Sequence, residues 1–425
     1  MAGPRRRSIT RTLLILMGVL GPGFIAASAG NDVGGIATYS SAGAQYGYSI
    51  LWVLLPLAVA LIVVQEMATR MGTVTGKGLA SLIRENFGVR ISFFAMLAFF
   101  FVNIAITATE FVGIAAASEI FHVSRYIAVP LAVVAVFLFV VRFDNKIVER
   151  TFVGFSLIYL SYVVSAVLAH PDWHAVARGT FVPSIRIHDN VWIFMVVALI
   201  GTTISPYMQF FLQSAVVEKD PREADLPLAR ADVVIGSVLG IAIAGFMIIA
   251  NAATIYLANR HGAHLNPSQA ADFAVALRPL AGQFAATIFA LGILNAGLFT
   301  ATVLPLSTAY VICEAFGFEA AVDRTFREAP VFFILFGAGL LIGAAIVLIP
   351  GIPYLPLIIG AQAVQGILLP FELLLMLAIA NRASVMGRYV NSPTVNVIAW
   401  ITTIIVGGFS LFYLVELAIT TFHPG

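Results

Sequence analysis

The stretch GPGFIAASAGNDVGGIAT, residues 21–38, places a proline, several glycines and a carboxylate inside an apolar segment. Pro22 removes a backbone donor, and the pair Gly34–Gly35 weakens a helix further, so one regular membrane helix is not expected here. A carboxylate at membrane depth costs about 2.5–3.5 kcal/mol even on the scale that gives the lowest values. Asp32 therefore stands at a predicted helix break in apolar surroundings, a combination that needs a functional explanation.

The composition is that of an integral membrane protein. Hydrophobic residues make up 60% of the 425 residues and charged residues only 10%, whereas a soluble domain carries about 25% charged residues. The basic residues occur in short clusters between apolar segments, so no nucleic-acid partner is expected. Cys313 is the only cysteine, which excludes an internal disulfide and a cysteine-based metal site.

A window of about 20 residues predicts eleven membrane spans within a single transmembrane domain, residues 1–425. The predicted spans lie near 12–43 (interrupted), 49–70, 91–120, 126–141, 148–169, 190–217, 231–258, 282–316, 330–350, 354–380 and 393–421. Residues 79–87 have apolar side chains at helical spacing and predict a surface helix. The segments 170–189, 218–230 and 259–271 are the longest polar loops.

The distribution of Lys and Arg predicts the orientation. With the N-terminus in the cytoplasm, 18 of the 23 Lys and Arg residues fall in inside segments, a strong positive-inside bias. We therefore expect a multi-pass protein of the plasma (inner) membrane with its C-terminus outside. Arg5–Arg7 followed by an apolar stretch and ASAG also resembles a signal peptide, but no soluble mature domain follows it.

A second interruption lies in the middle of the sixth span, in GTTISPYMQ, residues 201–209. Spans 1 and 6 correspond to each other if residues 12–169 and 190–380 form two repeats, with residues 393–421 as an additional helix. Broken helices in matching positions indicate a midplane site in an inverted-repeat transporter, and the carboxylate predicts that this site binds a cation. Two structural alternatives stay open: a Gly–Pro kink that serves only packing, and Asp32 as the cap of a half-helix.

The chain also resembles a known family at these residues. The stretch from residue 21 to 53, GPGFIAASAGNDVGGIATYSSAGAQYGYSILWV, looks like the metal-binding first helix of the NRAMP divalent-metal transporters. TTISPY in the sixth span, AQAVQGILLPFELLLML in the tenth and NRASVMGRYVNSP after it follow in matching order and spacing. The resemblance covers nearly the whole chain. It implies an all-α, LeuT-like inverted repeat of spans 1–5 and 6–10 plus an eleventh helix.

The same resemblance implies a metal site and shows where this chain departs from the family. The first-helix signature Asp-Pro-Gly-Asn reads DVGG at residues 32–35, and the sixth-helix signature Met-Pro-His reads SPY at residues 205–207. The family's backbone-carbonyl ligand and its glutamine correspond to Thr202 and Gln362. The implied metal-site positions are Asp32, Gly35, Thr202, Ser205 and Gln362, with Tyr207 and Glu110 behind them or in a proton relay.

These departures predict a site for a hard cation. A thioether favours softer transition metals, whereas carboxylate, carbonyl, hydroxyl and water oxygens suit Mg²⁺, Ca²⁺ and Mn²⁺. Losing both a methionine and an asparagine leaves room for water, and Mg²⁺ usually keeps several of its waters. The pattern is similar to that of the NRAMP-related magnesium transporters. The expected substrate is therefore partly hydrated Mg²⁺, with Mn²⁺ as the second candidate and no separate cofactor.

Proton coupling is not expected. All seven histidines, at positions 122, 170, 174, 188, 261, 264 and 423, lie in segments assigned to the outside or its boundary, and histidine is the usual group that titrates between about pH 5 and 8. Thr107 stands where the family has an aspartate. For Glu110 a proton relay and a contact to a neighbouring helix stay open. The alternative is a proton-coupled Mn²⁺/Fe²⁺ transporter of the same family.

Two other classes of protein agree less well with these residues. A LeuT-like carrier of an organic solute would have the same broken helices, but Asp32 would repel a substrate carboxylate. An intramembrane aspartyl enzyme needs a second catalytic aspartate at membrane depth, and the other aspartates lie in or beside loops, so no enzyme activity is expected. We expect a monomer in the lipid bilayer. Glu66 is predicted to pair with Arg70, and Glu372 to hydrogen-bond between helices.

Overall fold

The computed structural model describes residues 30–142, 156–219, 223–262, 265, 270–318 and 326–422. Every regular element within these ranges is helical. Nine segments of the described chain are long and apolar enough to cross a membrane. Eleven spans were predicted, but residues 12–29 of the first span and 148–155 of the fifth lie outside the described residues, and the remainder of span 1 is counted together with span 2.

The main helices are labelled in chain order. They are α1 (Val33–Tyr46), α2 (Leu54–Thr75), α3 (Leu79–Ile120), α4 (Arg125–Arg142), α5 (Leu160–Leu168), α6 (Trp173–Phe181), α7 (Asn190–Thr203), α8 (Pro206–Glu218), α9 (Leu226–Asn251), α10 (Ala285–Phe316), α11 (Pro330–Val347), α12 (Tyr354–Ala380) and α13 (Pro393–Phe422). A π-helical turn, Ala252–Tyr256, extends α9 to Arg260. The bounds of α12 coincide with those of the tenth predicted span.

The predicted break in the sixth span is confirmed. Helix α7 ends at Thr203, and α8 begins at Pro206 after two residues with non-helical backbone, Ile204 and Ser205. Proline is favoured at the first position of a helix because its missing N–H would have no intrahelical partner there. Helix α1 begins at Val33, directly after Asn31 and Asp32. Pro22 and the other residues upstream of this start lie outside the described part of the chain.

Two segments differ from the sequence-based expectation. The predicted surface helix 79–87 exists, but it continues into the third span through Gly88, whose φ of 80° bends the backbone where a residue with a side chain would be strained. The loop predicted at 170–189 contains α6. The Asp172 carboxylate caps this helix by accepting from the amides of His174 and Ala175 at 2.9 and 3.1 Å, and such local capping stabilises the start of a short helix.

Close helix packing places the start of α1 in the interior. An added Cβ on Gly113 of α3 would collide with the Val33 side chain, and one on Gly297 of α10 would lie 2.8 Å from the backbone oxygen of Glu110. Small residues at such positions let membrane helices approach closely. As a result Asp32, at the first turn of α1, is only 2% exposed.

Ion pairs gather near the C-terminal end of α2. The predicted pair between Glu66 and Arg70 is confirmed, with Nε and Oε1 3.0 Å apart, and Arg230 of α9 adds a second contact to Glu66 at 2.8 Å. Arg70 also donates to the Tyr389 carbonyl and to Asn391 Oδ1, the latter at 2.5 Å. Helices α2 and α9 and the segment before α13 are therefore tied together at this end.

Candidate metal site

Asp32 caps the N-terminus of α1. Its carboxylate accepts a hydrogen bond from the Gly35 amide at 2.5 Å, and its extended backbone is typical of a capping residue. The structural alternative, that Asp32 is a cap, is thus part of what the side chain does. One carboxylate oxygen can cap while the other remains available, because an ionised carboxylate accepts at about four lone-pair positions. Capping and cation binding are therefore compatible.

A second carboxylate reaches the same helix terminus. Glu110 lies in the last third of α3 and is fully buried. Its Oε2 accepts from the Val33 amide at 3.3 Å. Along the sequence Asp32 is the only acid at either break, but the fold adds Glu110 to it. Of the two roles left open for Glu110, the contact to a neighbouring helix is observed.

Tyr207 connects the two breaks. It is the second residue of α8, it is fully buried, and its hydroxyl donates a hydrogen bond to the Asp32 carboxylate. A phenol at this position is a neutral donor near pH 7, unlike a protonated histidine. The first turns of α1 and α8 thus meet at Asp32.

Ser205 and Thr202 lie at the break between α7 and α8. Ser205 is fully buried, and its hydroxyl donates to the carbonyl of Gly201 at 2.8 Å and to that of Thr202 at 3.2 Å. The Thr202 carbonyl, which the resemblance implies as a ligand, therefore already accepts one hydrogen bond but has a second lone pair. The Thr202 hydroxyl has no hydrogen-bond partner among the described residues.

Gln362 of α12 packs against both broken helices. A Cβ on Gly34 would fall on the side-chain amide nitrogen of Gln362, and a Cβ on Gly201 would fall on the backbone carbonyl oxygen of Gln362. The side chain is fully buried; its oxygen accepts from Gln365 Nε2 at 3.0 Å, and its Nε2 has no partner in the described chain. Glycine at both positions is what allows α12 to approach α1 and α7 this closely.

The space next to Gly35 is more tightly packed than the sequence suggested. The sequence argument expected room for water where the family has asparagine. An added Cβ on Gly35 would instead collide with the Gly30 carbonyl oxygen, and it would lie 3.3 Å from Asp32 Oδ1. The backbone just before α1 therefore occupies the space beside Gly35.

The structure thus brings every implied site residue to one region. Asp32 is hydrogen-bonded to Gly35 and Tyr207, and Glu110 to the neighbouring Val33 amide. Gln362 packs against Gly34 and Gly201, and Ser205 is hydrogen-bonded to the Thr202 carbonyl. Among the described residues no group of three or more histidine, cysteine, aspartate or glutamate side chains comes together, so the acidic part of this site consists of two carboxylates. Carboxylates with carbonyl, hydroxyl and amide oxygens form a donor set for hard divalent cations.

Several polar residues near the site were not predicted. The hydroxyls of Tyr39 and Thr203 hydrogen-bond at 2.9 Å and join α1 to α7. Asn31 Oδ1 and both amide atoms of Gln209 are buried without a hydrogen-bond partner among the described residues. Gln209 follows Ser205 by four residues, so helical spacing in the sequence alone could have placed it on the same face. Asn31 could have been predicted as well, because it is adjacent to Asp32 in the sequence.

Two further expectations can be compared with the structure. Glu372 was expected to hydrogen-bond between helices, but both of its carboxylate oxygens are buried with no partner in the described part of the chain, so that expectation was wrong. All five described histidines are exposed at the surface of the protein, while their position on the outer side stays a prediction; His264 and His423 lie outside the described residues.

Known proteins resemble this chain over nearly its full length. A family model described as natural resistance-associated macrophage protein-like (Nramp) matches residues 23–416. The divalent metal cation transporter MntH of Yersinia pestis is 27% identical over 419 residues, 97% of each chain. MntH of Yersinia pseudotuberculosis matches to the same extent.

Solved structures share the architecture. The manganese transporter of Eremococcus coleocola superposes with a TM-score of 0.77 at 22% identity, over 100% of this chain and 90% of the other. MhsT in complex with L-phenylalanine superposes with a TM-score of 0.59 at 16% identity, over 92% of this chain and 97% of the other. These likenesses confirm the predicted all-helical LeuT-like fold.

Proposed function

Because the chain belongs to the NRAMP family, we propose that it carries divalent metal cations across a membrane through the site at Asp32. The observation that carries this proposal is the pair of buried carboxylates, Asp32 and Glu110, at the N-terminus of α1. Buried charge of one sign is stable when it is paired, hydrogen-bonded or bound to a metal. A divalent cation between the two breaks would balance both charges.

The proposed substrate is partly hydrated Mg²⁺, with Mn²⁺ as the second candidate. Support comes from residue 205, where a serine hydroxyl stands in place of the family's thioether, and from the oxygen character of the neighbouring groups. Mg²⁺ demands near-octahedral oxygen coordination and gives up its waters reluctantly. A site that offers only a few protein oxygens and leaves the remaining positions to water therefore suits Mg²⁺ better than a soft ion.

Transport is proposed to proceed without protons and to be driven by concentration and membrane potential. Support comes from the exposure of every described histidine and from the fact that the Glu110 carboxylate is held by a backbone amide. The same position of Glu110 favours the proton-coupled alternative, because a carboxylate beside the ion is well placed to take up a proton. The two candidates differ in whether the vesicle lumen acidifies during uptake.

We further propose that the protein is a monomer in the plasma membrane, with the N-terminus in the cytoplasm. This orientation places the Glu66–Arg70–Arg230 cluster on the cytoplasmic side. It also places a cavity of about 400 Å³ on the outer side, lined in part by Gln45, Tyr256 and Phe273. An alternating-access carrier is expected to be open on one side of the membrane and closed on the other. In the proposed orientation the cavity lies on the outer side and the ion pairs hold the helices together on the cytoplasmic side.

The deciding experiment measures Mg²⁺ and Mn²⁺ uptake into liposomes containing the purified protein, with amino acids as competitors. We expect uptake of both ions, no competition by amino acids, and loss of uptake in both Asp32→Asn and Asp32→Ala. Asparagine caps a helix about as well as aspartate, whereas alanine costs about 0.5–2 kcal/mol. Asp32→Asn therefore removes the charge and keeps the cap. Wild-type uptake by Asp32→Asn would show that Asp32 is a cap only.

A further inference from the structure

Helix α8 carries a polar stripe that leads away from the break. Ser205, Gln209 and Gln213 follow one another at intervals of four residues, so their side chains share one face. All three are fully buried. Eight residues at a rise of about 1.5 Å each place Gln213 about 12 Å from Ser205 along the helix, towards the end of the molecule assigned to the cytoplasm.

The Gln213 amide is oriented by the backbone of the α2–α3 connection. Its Nε2 donates to the Lys77 carbonyl at 2.8 Å. Because a carbonyl can only accept, this contact fixes which end of the amide is nitrogen. The other end, Oε1, is a buried acceptor without a partner among the described residues.

Glu314 of α10 meets the same connection one residue further on. Its carboxylate lies against Gly78, where an added Cβ would collide with it. Oε1 accepts from the Ser214 hydroxyl at 3.1 Å, while Oε2 is buried and has no partner in the described chain. Gln213 and Glu314 therefore contact adjacent residues, whose Cα atoms are about 3.8 Å apart, and each leaves one oxygen unused.

The charges around this point favour a positive ligand. Glu218 lies nearby and raises the negative charge of the cluster; its Oε1 accepts from the Tyr310 hydroxyl at 2.6 Å. The neighbouring cations have other contacts: Lys77 Nζ pairs with exposed Glu85 at 2.7 Å, and Arg84 donates to the Ala315 carbonyl at 2.8 Å. The two unused atoms at Gln213 and Glu314 are both acceptors, which a cation satisfies and an anion does not.

We propose that Gln213 Oε1, the Glu314 carboxylate and the Lys77 carbonyl form a second binding station for the transported divalent cation, near the cytoplasmic exit. Three protein oxygens leave positions for water, which suits a partly hydrated hard ion. The station lies about two helical turns beyond the Asp32 site along the stripe of α8. The proposal rests on the proposed function, because an ion that leaves Asp32 inwards passes this stripe.

The test counts the Mn²⁺ ions bound to the purified full-length protein, using the electron paramagnetic resonance signal of free Mn²⁺. We expect two ions bound to the wild type, one to Asp32→Asn, one to Glu314→Gln and none to the double variant. Glu85→Gln is the matched control, because it removes an exposed carboxylate beside Lys77, and it should still bind two. Glu314→Gln should also slow Mg²⁺ uptake at least several-fold while Glu85→Gln does not.

The outcomes separate the two proposals. If Asp32→Asn binds no Mn²⁺, or Glu314→Gln binds as many ions as the wild type, the second station does not exist, even where Asp32-dependent uptake is normal. If Asp32→Asn keeps both ions, the Asp32 site fails and the station stands. If Glu314 were instead protonated and only donated a hydrogen bond to Gln213 Oε1, Glu314→Gln would bind as many Mn²⁺ ions as the wild type. The reason is that the glutamine amide can donate the same hydrogen bond. Should Glu314→Gln not fold, the count for Asp32→Asn alone decides.

Discussion

Replacing Gly34 with alanine tests whether Gln362 belongs to the cation site. A Cβ at Gly34 would take the place of the Gln362 amide nitrogen, with Gln362 Cδ only 2.6 Å away and Asp32 Oδ1 at 3.1 Å. Contacts under about 3 Å require one partner to move, and the Gln362 side chain is easier to move than the backbone of α1. Because Gln362 is fully buried, it has to adopt another rotamer inside a packed interior.

The expected loss of stability is small. The hydrogen bond from Gln365 Nε2 to Gln362 Oε1, 3.0 Å long, contributes about 0.5–1.5 kcal/mol, and a strained rotamer costs about 0.5–1.5 kcal/mol. Alanine is favoured over glycine within a helix by about 0.5–1 kcal/mol, which offsets part of this. The net loss is about 0–2.5 kcal/mol. A hydrogen bond or contact to a charged partner is worth about 1.5–3 kcal/mol, so losing an ion ligand weakens Mg²⁺ affinity by about 10- to 150-fold.

The assay compares Mg²⁺ uptake and thermal stability in the wild type, Gly34→Ala, Gln362→Ala and the double variant. If the clash is the cause, Gly34→Ala destabilises the wild type but not the Gln362→Ala protein, while all three variants lose uptake. Gly360→Ala on α12 is the control, since an added Cβ there meets no atom within 4 Å. Wild-type uptake by Gly34→Ala, at the same Mg²⁺ concentrations, would refute the assignment of Gln362 as a ligand.

Other perturbations address coupling, selectivity and the ion-pair cluster. Mg²⁺ uptake should not acidify the vesicle lumen, and an inside-negative potential should accelerate it by up to about 2.3 kcal/mol per charge per 100 mV; proton entry in a fixed ratio to Mg²⁺ would instead establish the coupled alternative. Ser205→Met should lower Mg²⁺ uptake and raise Cd²⁺ affinity, measured side by side; adding Gly35→Asn is expected to compromise folding, because Gly35 lies against the Gly30 carbonyl. Glu66→Gln leaves the Arg70 guanidinium, which is 3% exposed, without its carboxylate partner. Thermal unfolding should then show that the free energy of unfolding falls by about 3–5 kcal/mol. An unchanged melting temperature would show that the remaining acceptors, Tyr389 and Asn391, are enough to stabilise the Arg70 charge.

The sequence predicted the helices and the breaks because those depend on local composition. The bounds of α12 and the break before Pro206 follow from apolar length and from the missing N–H of proline. The helix α6 was missed because it is only nine residues long and its start depends on one capping carboxylate, Asp172. Membrane-span methods reward long apolar segments, and a nine-residue capped helix gives no such signal.

The site was predicted less completely because its geometry depends on contacts between distant segments. Glu110 lies 77 residues from Val33, and only the packing of α3 on α1 reveals that its carboxylate reaches the α1 terminus. The Gly30 carbonyl beside Gly35 is likewise a feature of backbone conformation. A substitution from asparagine to glycine indicates lost bulk, but it does not show whether backbone or water fills the space.

Uncoupled transport requires a carrier that can return without its ion, which leaves two carboxylates in the protein interior. In the structure these acids are hydrogen-bonded: Asp32 accepts from the Gly35 amide at 2.5 Å and from the Tyr207 hydroxyl, and Glu110 accepts from the Val33 amide at 3.3 Å. Such donors reduce the cost of buried charge.

Tyr207 is the donor that mutation can remove without touching the backbone, and Tyr207→Phe keeps the ring in its buried position. In the uncoupled cycle this variant should slow the return of the empty carrier, because the donor stabilises the Asp32 charge most when no cation balances that charge. Net Mg²⁺ uptake should therefore fall by about tenfold for each 1.4 kcal/mol of lost stabilisation, while exchange of isotopically labelled Mg²⁺ across the membrane, which needs no empty return, should continue near the wild-type rate. An equal fall in net uptake and exchange would mean that Tyr207 acts on the bound ion. It would also mean that the hydrogen bonds at α1 do not stabilise the two carboxylates of the empty carrier in the way that bound protons would.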